Sequence, residues 1–505
     1  MRAVAALLLL SVAARPVETP EVTIAQGRLA GALENGVTAF KGIPYAQPPV
    51  GPLRWRAPQS APRWNGVRDA SAFGPICPQH ATEGLAARAH LPQSEDCLTL
   101  NVWTPDLRPA AALPVMVWIH GGGLAQGGSA LPIYDGAALA RHGVVVVSFN
   151  YRLGRLGFFA LPALTAESRG EPLGNYGLLD QIAALRWVRD NIAVFGGDAG
   201  SVTIFGESAG GVSVDALMAS PLARGLFARA ISESGPALLG TVPLADAEQA
   251  GTALAARLGG ARGGVGPDAL AALRAISPDS ILEGGEELLD PIVDGNVLTE
   301  DIAVAFARGD VARVPYLTGT NSDEGSLLRG DAPGWLTRRM GDRLSAVRAL
   351  YERNGAVGDA EFARQLFNDQ FFAATSRLFA LALARAGQPA YVYRFRFLPA
   401  ILRARNAPGV PHGGEIPFVF GFGALARFAP PRDLAVLDLV QGYWTNFAKT
   451  GDPNGAGLPA WPRFDGPAPA TLVIDDTTAA VPDFREAQTD AALRLWSARA
   501  GMPLP

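Results

Sequence analysis

The sequence contains few of the residues that ligate metals or form cross-links. Its 505 residues include only two cysteines and five histidines. Because no HExxH motif occurs and the histidines lack zinc-ligand spacing, the sequence predicts no metal site. Lysine is also scarce, since nearly all basic residues are arginine, and the formal net charge is only -4. So small a charge predicts neither a nucleic-acid partner nor attraction to an anionic membrane.

Long apolar runs are missing as well. The N-terminal run at residues 4–10 follows Arg2 and precedes small residues at 11–14. It is shorter than the ~20 apolar residues that span a bilayer, and it is typical of a secretory signal peptide. An uncleaved tail is the alternative. We expect residues 1–14 to be removed and residues 15–505 to form one domain without an integral membrane segment.

A serine lies in a glycine-rich turn between two apolar segments. The run FGESAGG occupies residues 205–211, after the apolar stretch 202–205 and before the apolar stretch 212–218. The first stretch predicts a strand and the second a helix, so the pattern indicates a nucleophile elbow that exposes Ser208 at a strand end. Such a turn strains the serine backbone, and small neighbours relieve the crowding. Because short patterns also recur by chance, the serine needs a base elsewhere in the chain.

Only one histidine, His412, follows Ser208 in the chain. In hydrolases with such an elbow, the partners follow the serine in the order acid, histidine. His412 begins a loop-like stretch, 412–417, after a predicted strand at 390–395. It is therefore the candidate base, and a surface loop histidine is the alternative.

Two carboxylates compete for the position of the acid. Asp323 and Glu324 occupy a turn after the predicted strand 314–319. Both would lie at the carboxyl end of a strand, where ligand sites of α/β sheets gather, and the spacing does not separate them. Carboxylates in such turns are often simply solvated.

A second glycine run offers donors for an oxyanion. The segment HGGG at residues 120–123 follows the apolar stretch 115–119. Its backbone N–H groups are unhindered, so we expect Gly122 and Gly123 to act together with the N–H of Ala209 as an oxyanion hole. A flexible hinge is the alternative for this run.

Strand-like and helix-like segments alternate along the chain. The apolar runs at 115–119 and 144–147 are typical of strands buried on both faces, and 178–188 has apolar residues at helical spacing. This order predicts an α/β fold. The glycine-rich break at 259–267 has no strand before it and no Lys-Ser or Lys-Thr after it, so no nucleotide cofactor is predicted.

The motifs together resemble the type-B carboxylesterase and lipase family, which includes the cholinesterases. Residues 40–51 are similar to the family's N-terminal signature and residues 94–102 to its second one. The stretch from residue 174 through residue 198 to the elbow also matches the family's central block, with Ala199 where a proline is common. The resemblance covers most of the chain. It implies an α/β-hydrolase fold, with a mostly parallel central sheet, helices on both faces, and large loop and helical insertions.

The resemblance also implies roles for individual residues. Ser208 would be the nucleophile and His412 the base, and Glu324 rather than Asp323 would be the acid. Glu207 and Ser234 would support them. The implied activity is hydrolysis of a small-molecule ester without a cofactor, and amidase or lactonase activity is the near alternative. A recognition module of the same fold is the other alternative, although such relatives lose the catalytic set.

Two further expectations follow from the resemblance and from export. Family members carry a disulfide in the N-terminal third, so Cys77 and Cys97 are predicted to pair, in keeping with an oxidising compartment. The arginine-rich composition suggests a bacterial protein that is secreted or periplasmic. A monomer and a homodimer remain open.

Four phenylalanines are candidates for the lining of the substrate site. The resemblance suggests a substrate gorge, and Phe371, Phe372, Phe418 and Phe420 would line either this gorge or, as is more usual, the core.

The arginines Arg394, Arg396, Arg403 and Arg405 alternate with apolar residues, which favours a solvated strand face.

Overall fold

The structure is a computed structural model of the whole chain. It describes residues 19–80, 89–168, 174–258, 267–283, 289–328, 330, 334, 344–352 and 358–502. The predicted signal peptide and residues 259–266 of the glycine-rich break lie outside the described residues.

Eleven of the described strands form one sheet. Its central seven strands run parallel, and antiparallel strands complete both edges. The strands are β1 Glu21–Ile24, β2 Gly27–Ala30, β3 Ala32–Glu34, β4 Val37–Pro44, β5 Val67–Asp69, β6 Thr99–Thr104, β7 Leu113–Ile119, β8 Val145–Phe149, β9 Phe158–Phe159, β10 Gly174–Asn175, β11 Gly197–Glu207, β12 Arg229–Glu233, β13 Val242–Pro243, β14 Ile292–Val293, β15 Tyr316–Asn321, β16 Ala390–Phe395, β17 Ala470–Ile474 and β18 Ala479–Pro482. In the large sheet their order is β18-β17-β16-β15-β12-β11-β7-β8-β6-β4-β3.

Helices connect the strands and fill the insertions between them. The described α-helices are α1 Ala137–Ala140, α2 Gly154–Gly157, α3 Pro162–Ser168, α4 Tyr176–Asn191, α5 Ala209–Ala219, α6 Leu244–Arg257, α7 Pro267–Arg274, α8 Pro278–Leu282, α9 Ile302–Arg308, α10 Leu344–Glu352, α11 Asp359–Asn368, α12 Ala374–Arg385, α13 Ala400–Ala404, α14 Ile416–Phe420, α15 Pro431–Thr450 and α16 Glu486–Ala500. A π-helical turn, Asp369–Ala373, joins α11 to α12. Among these described helices, none is long and apolar enough to span a membrane.

The sheet separates two apolar cores. Along β7, Val115 and Val117 point into one core, whereas Met116 and Trp118 point into the other. This follows from the alternation of side chains across a strand. Helices α4 and α5 contribute to the first core and α15 to the second. The predicted α/β-hydrolase architecture, with helices on both faces, is therefore confirmed.

The local predictions hold for the elements that carry the site. The predicted strands at 202–205 and 390–395 lie in β11 and β16, and the predicted helix at 212–218 lies in α5. Cys77 and Cys97 form a disulfide in the structure, as the resemblance implies.

Arg403 and Arg405 are exposed but lie in and just after helix α13 rather than on a strand, and the prediction of a solvated strand face is also wrong for Arg394. Its side chain lies on β16 and is only 7% exposed, whereas Arg396 is half exposed. The reason is that β16 is an interior strand, paired with β15 and β17 and covered on both faces. Alternation of polar and apolar residues indicates a solvated face only where one face meets water.

Candidate active site

Ser208 forms the turn between β11 and α5. Its backbone angles are φ 59° and ψ -123°, a strained region for a residue with a side chain. Its N–H donates to the carbonyl of Glu233 on the neighbouring strand, 2.9 Å away. The crowding expected at the turn is present, because a Cβ on Gly210 would lie 2.1 Å from the carbonyl oxygen of Ile119. Strand, turn and helix thus leave Ser208 half-buried at the carboxyl edge of the sheet.

The glycine run after β7 packs against this turn. Strands β7 and β11 are parallel neighbours, so their carboxyl ends meet. A Cβ on Gly121 would come within 3.1 Å of the Ser208 Cβ. Gly122 and Gly123 have φ values of 113° and 65°, which favour glycine. The loop turns back on itself through a hydrogen bond of 3.0 Å from the Gln126 N–H to the Gly122 carbonyl.

Ala209 is the first residue of α5. Backbone N–H groups in the first turn of a helix have no intrahelical partner, and the helix dipole gives them positive character. The three predicted oxyanion donors therefore lie on two segments that contact each other beside Ser208. They supply dipoles without a net charge.

His412 and Glu324 are joined by a direct contact. The imidazole Nδ1 lies 2.6 Å from Glu324 Oε2. Since a carboxylate oxygen accepts, Nδ1 carries a proton, and in the neutral form of the ring Nε2 has the free lone pair. The main-chain N–H of His412 donates to the Ser326 hydroxyl at 2.9 Å, which fixes the loop to the turn that bears Glu324.

Glu324 is fully buried and its second oxygen is also occupied. Oε1 accepts from the Ser234 hydroxyl and from the Asn321 N–H, each at 2.6 Å. These donors keep the carboxylate oriented toward His412. Ser234, predicted as a supporting residue, therefore contacts the predicted acid.

Asp323 points elsewhere, although it precedes Glu324 directly. Its carboxylate pairs with Arg364, and its N–H donates to the Val410 carbonyl at 2.9 Å. Burial raises the pKa of Asp323 to about 6, and Arg364 opposes this shift. The geometry separates the two carboxylates that spacing alone does not: the side chain of Glu324 reaches the imidazole and that of Asp323 does not.

Glu207 lies on the other side of the imidazole. Its Oε1 is 3.1 Å from His412 Nε2, a charge contact without aligned hydrogen-bond geometry. Burial raises the pKa of Glu207 to about 7, and His412 opposes the shift. Burial also disfavours the imidazolium, but the carboxylates of Glu207 and Glu324 outweigh it and raise the pKa of His412 to about 10.

The Ser208 hydroxyl forms no hydrogen bond within the described part of the chain. His412 Nε2 instead faces Glu207, the residue directly before the serine. Catalytic hydrogen bonds are often long or misaligned without substrate and tighten when it binds. The elbow and the His412 imidazole are therefore adjacent, but no hydrogen bond joins the Ser208 hydroxyl to the ring.

Two further buried carboxylates of the site are not predicted by the sequence. Glu233 pairs in register with Glu207 and accepts from the Trp444 indole at 2.9 Å. Glu415 accepts from the side-chain amide of Asn321. Burial raises the pKa of both carboxyl groups. Their only sequence signal is nearness to Ser234 and His412, which does not reveal burial.

A second histidine, His120, lies at the start of the glycine run and has different surroundings. Its ring stacks on Tyr151 with centroids 4.5 Å apart, and its Nδ1 is 2.9 Å from the Gly121 carbonyl. Burial lowers its pKa to about 4. It is therefore neutral at ordinary pH.

The predicted aromatic residues divide between site and core. Phe418 and Phe420 belong to the second core, and Phe420 packs on Trp118 and Phe205. Phe372 instead meets the His412 ring edge-on, with centroids 5.5 Å apart. It is buried and forms an apolar wall beside the imidazole.

The segment that contains the disulfide is hydrogen-bonded to the loop that follows the glycine run. The amide of Gln79 donates to the carbonyls of Cys77 and Gly127, at 2.9 and 2.7 Å, and its oxygen accepts from the Gly127 N–H at 2.8 Å. Gln79 is buried, so these bonds are shielded from water. The cross-link therefore lies behind the loop and away from the imidazole.

Comparisons with known proteins show the family to which this chain is similar. A family model described as the carboxylesterase family matches residues 18–335 and 345–493. The para-nitrobenzyl esterase of Bacillus subtilis (strain 168) is 39% identical over 479 residues, covering 90% of this chain and 94% of that protein. The liver carboxylesterase of Sus scrofa is 38% identical over 512 residues, with coverages of 90% and 89%.

Two further similarities are informative. The fumonisin B1 esterase of Sphingopyxis macrogoltabida is 37% identical over 452 residues, covering 86% of this chain and 82% of that protein. A solved structure of a PNB esterase superposes with a TM-score of 0.80 at 34% identity, covering 94% of this chain and 99% of that one.

Proposed function

This chain belongs to the carboxylesterase family and is a type-B carboxylesterase, and we propose that it cleaves esters through an acyl-enzyme on Ser208. In this mechanism His412 is the general base and Glu324 is the acid that orients it. The observation that carries the proposal is the 2.6 Å contact between His412 Nδ1 and Glu324 Oε2, which makes Nε2 the basic nitrogen of the neutral ring, on the side of the elbow residue Glu207. A serine hydroxyl is a weak nucleophile without such a base.

The first half of the reaction forms the acyl-enzyme. His412 Nε2 turns from Glu207 to the Ser208 hydroxyl and takes its proton as the oxygen attacks the ester carbonyl. The negative charge on the carbonyl oxygen is stabilised by the N–H groups of Gly122, Gly123 and Ala209. The imidazolium then gives its proton to the leaving alcohol, and the ester C–O bond breaks.

The second half releases the acid. Water enters, His412 takes one of its protons, and the hydroxide attacks the acyl carbonyl. The bond to Ser208 breaks and the serine recovers its proton from the imidazolium. Glu324 stabilises the charged ring in both halves, and Ser234 keeps that carboxylate in place.

The substrate class that we propose is small-molecule carboxylic esters. The names of the similar proteins support this, since one is a para-nitrobenzyl esterase and another a fumonisin B1 esterase. The apolar wall at Phe372 suits an apolar substituent of such an ester. We also propose that the protein is exported after cleavage near residue 14, with residues 15–505 as one catalytic domain; N-terminal sequencing of the mature protein tests this.

The decisive experiment compares hydrolysis of p-nitrophenyl esters of increasing acyl length by the wild type, Ser208→Ala and Ser71→Ala. Ser71 is exposed and serves as the matched control. We expect Ser208→Ala to lose a factor on the order of 10⁴ or more in kcat, and Ser71→Ala to lose nothing.

A covalent probe tests the acyl-enzyme separately. A fluorophosphonate should add one mass equivalent to the wild type, on the peptide that contains Ser208, and none to Ser208→Ala. Retained activity in Ser208→Ala, or labelling of another residue, would refute the proposed nucleophile. If the probe abolished the activity of the wild type without labelling Ser208, the covalent step would be refuted.

A further inference from the structure

A small cavity lies between β15, β16, β17 and α16, away from Ser208. Its volume is about 30 Å³, which is enough for one or two water-sized species. Three arginines line it: Arg377, Arg394 and Arg485. Hydroxyl groups from Thr320, Ser376, Thr471 and Thr489 complete much of the remaining wall. The lining therefore combines three guanidinium groups and several hydroxyl groups with apolar side chains such as Val392, Phe464 and Phe484.

Arg394 is the unusual member of this group. It is 7% exposed, and its guanidinium donates to the Thr320 hydroxyl at 2.8 Å and to the Ser322 carbonyl at 3.1 Å. Both acceptors are neutral, and no carboxylate among the described residues forms an ion pair with it. Burial lowers its pKa to about 10, so the side chain remains charged at neutral pH.

The neighbouring acidic groups are already engaged. The carboxylate of Asp369 accepts from Arg485 through both oxygens. Arg377 pairs with Glu486 at 2.9 Å and with Asp490 at 3.4 Å, on the partly exposed side of α16. Each of the other two arginines thus has a carboxylate partner. Arg394 is the one arginine of the three without a carboxylate in ion-pair contact among the described residues, and the charges of Asp369 and Glu324 act on it only from a longer distance.

A buried charge without a counter-ion is costly, and proteins usually pair it. We propose that the cavity binds one small monovalent anion, of the size of chloride or bromide, as the counter-ion of Arg394. The volume suits a single halide, and the Arg394 guanidinium together with the hydroxyl groups of Thr320 and Thr471 supplies donors of the kind that such an ion requires.

The anion would act on the turn that bears Glu324. Arg394 holds Thr320 and Ser322, which precede that turn directly, and the Asn321 N–H between them donates to the Glu324 carboxylate. Neutralising Arg394 therefore stabilises this end of β15. The site is separate from the ester-cleaving chemistry, so it does not depend on the mechanism above.

Crystals of the wild type grown in sodium bromide test the site directly. We expect an anomalous bromide peak in the cavity, within contact distance of the Arg394 guanidinium. A cavity that holds only water, or nothing, at about 200 mM bromide would overturn the proposal.

Thermal unfolding tests it in solution. Chloride is raised from zero to 100 mM while sodium gluconate keeps the ionic strength constant, because gluconate is too large for the cavity. We expect the Tm of the wild type to rise by about 1–3 °C and to saturate, as binding to the native state alone requires. Arg394→Met should lose this rise.

Arg396→Met is the matched control, since Arg396 lies two residues away and is half exposed outside the cavity. It should keep the saturating rise in Tm. An equal rise in all three proteins, or none in the wild type, would contradict a specific site. Should Arg394→Met fail to fold, the bromide experiment on the wild type decides alone.

Discussion

His120 is buried and His412 is half-buried, both near Ser208, yet their surroundings have opposite effects on the pKa of the ring. His120 stacks on Tyr151 and touches a carbonyl, and burial lowers its pKa to about 4. Burial also disfavours the His412 cation, but two carboxylates outweigh this and raise its pKa to about 10. The neighbouring charges, not the degree of burial, distinguish the two rings.

The difference divides the site into two halves. The half with His120 presents backbone N–H groups and a neutral ring, and it suits an oxygen that becomes negative. The half with His412 holds Glu207 and Glu324, and it suits an imidazole that becomes positive. Preorganised charges and dipoles of this kind cost no reorganisation when the reaction occurs.

The largest expected effect on kcat comes from replacing one of the two histidines, and the same replacement of the other provides the comparison. His412→Gln removes the base, so kcat should fall by a factor on the order of 10⁴ or more. His120→Gln keeps a neutral polar side chain and should cost far less. Both variants are assayed on p-nitrophenyl acetate after their thermal unfolding has been compared with the wild type. If both variants folded and lost the same factor in kcat, the two halves of the site would not have different roles.

The next effect concerns the half with the glycine run. A Cβ on Gly122 would lie 2.1 Å from the Gln126 carbonyl oxygen, so Gly122→Ala must displace the loop. We expect kcat to fall by about 10²–10³, the usual cost of losing an oxyanion donor.

The control for this variant is Gly143→Ala. Gly143 also has a positive φ, 80°, but a Cβ there meets nothing within 4 Å. A side chain at Gly143 is also disfavoured by the positive φ, but the clash is absent, so only stability should fall. If Gly143→Ala lost as much activity as Gly122→Ala, general destabilisation rather than the oxyanion loop would explain the loss.

Much of this site follows from the sequence because its segments are local. A strand, a small-residue turn and a helix around Ser208 are encoded within about twenty residues, and the structure places them as predicted. The roles of Ser208, Glu324 and His412 stay predictions until the variants are measured. What the sequence does not reveal depends on pairing between distant strands.

Three residues illustrate that limit. Glu207 and Glu233 are cross-strand partners only because β11 and β12 are neighbours. Arg394 is buried because β16 is an interior strand of the sheet and helix α12 packs against it. A local polar and apolar pattern contains neither fact, because burial on both faces is a property of the whole sheet.

A smaller effect is expected from Glu207→Gln. The negative charge of Glu207 favours the His412 cation, so its removal should lower the pKa of His412. Because the base must be neutral, the wild type loses activity as the pH falls through that raised pKa. In the variant this acid limb should move to lower pH, by about one unit. The plateau of kcat/KM should also fall, by roughly tenfold, because the imidazolium loses a stabilising charge.

The pH profile of kcat/KM measures both changes. Glu233→Gln is the control, since Glu233 is also buried but does not contact His412 and accepts from Trp444 instead. It should leave the limb near that of the wild type. A limb that stays in place in Glu207→Gln would show that Glu207 does not set the charge of this half.

The smallest catalytic effect should come from the disulfide, which supports only the half with the glycine run. Replacing Cys77 and Cys97 together by serine should lower the free energy of unfolding by about 3 kcal/mol, for a loop of this size in the chain-entropy model. Because Gln79 still joins Gly127 to the segment, kcat should change little, and the acid limb set by His412 should not move. Urea unfolding and the pH profile of the double variant test both expectations. A shifted limb would mean that the two halves are mechanically coupled, since the cross-link lies on the side of His120.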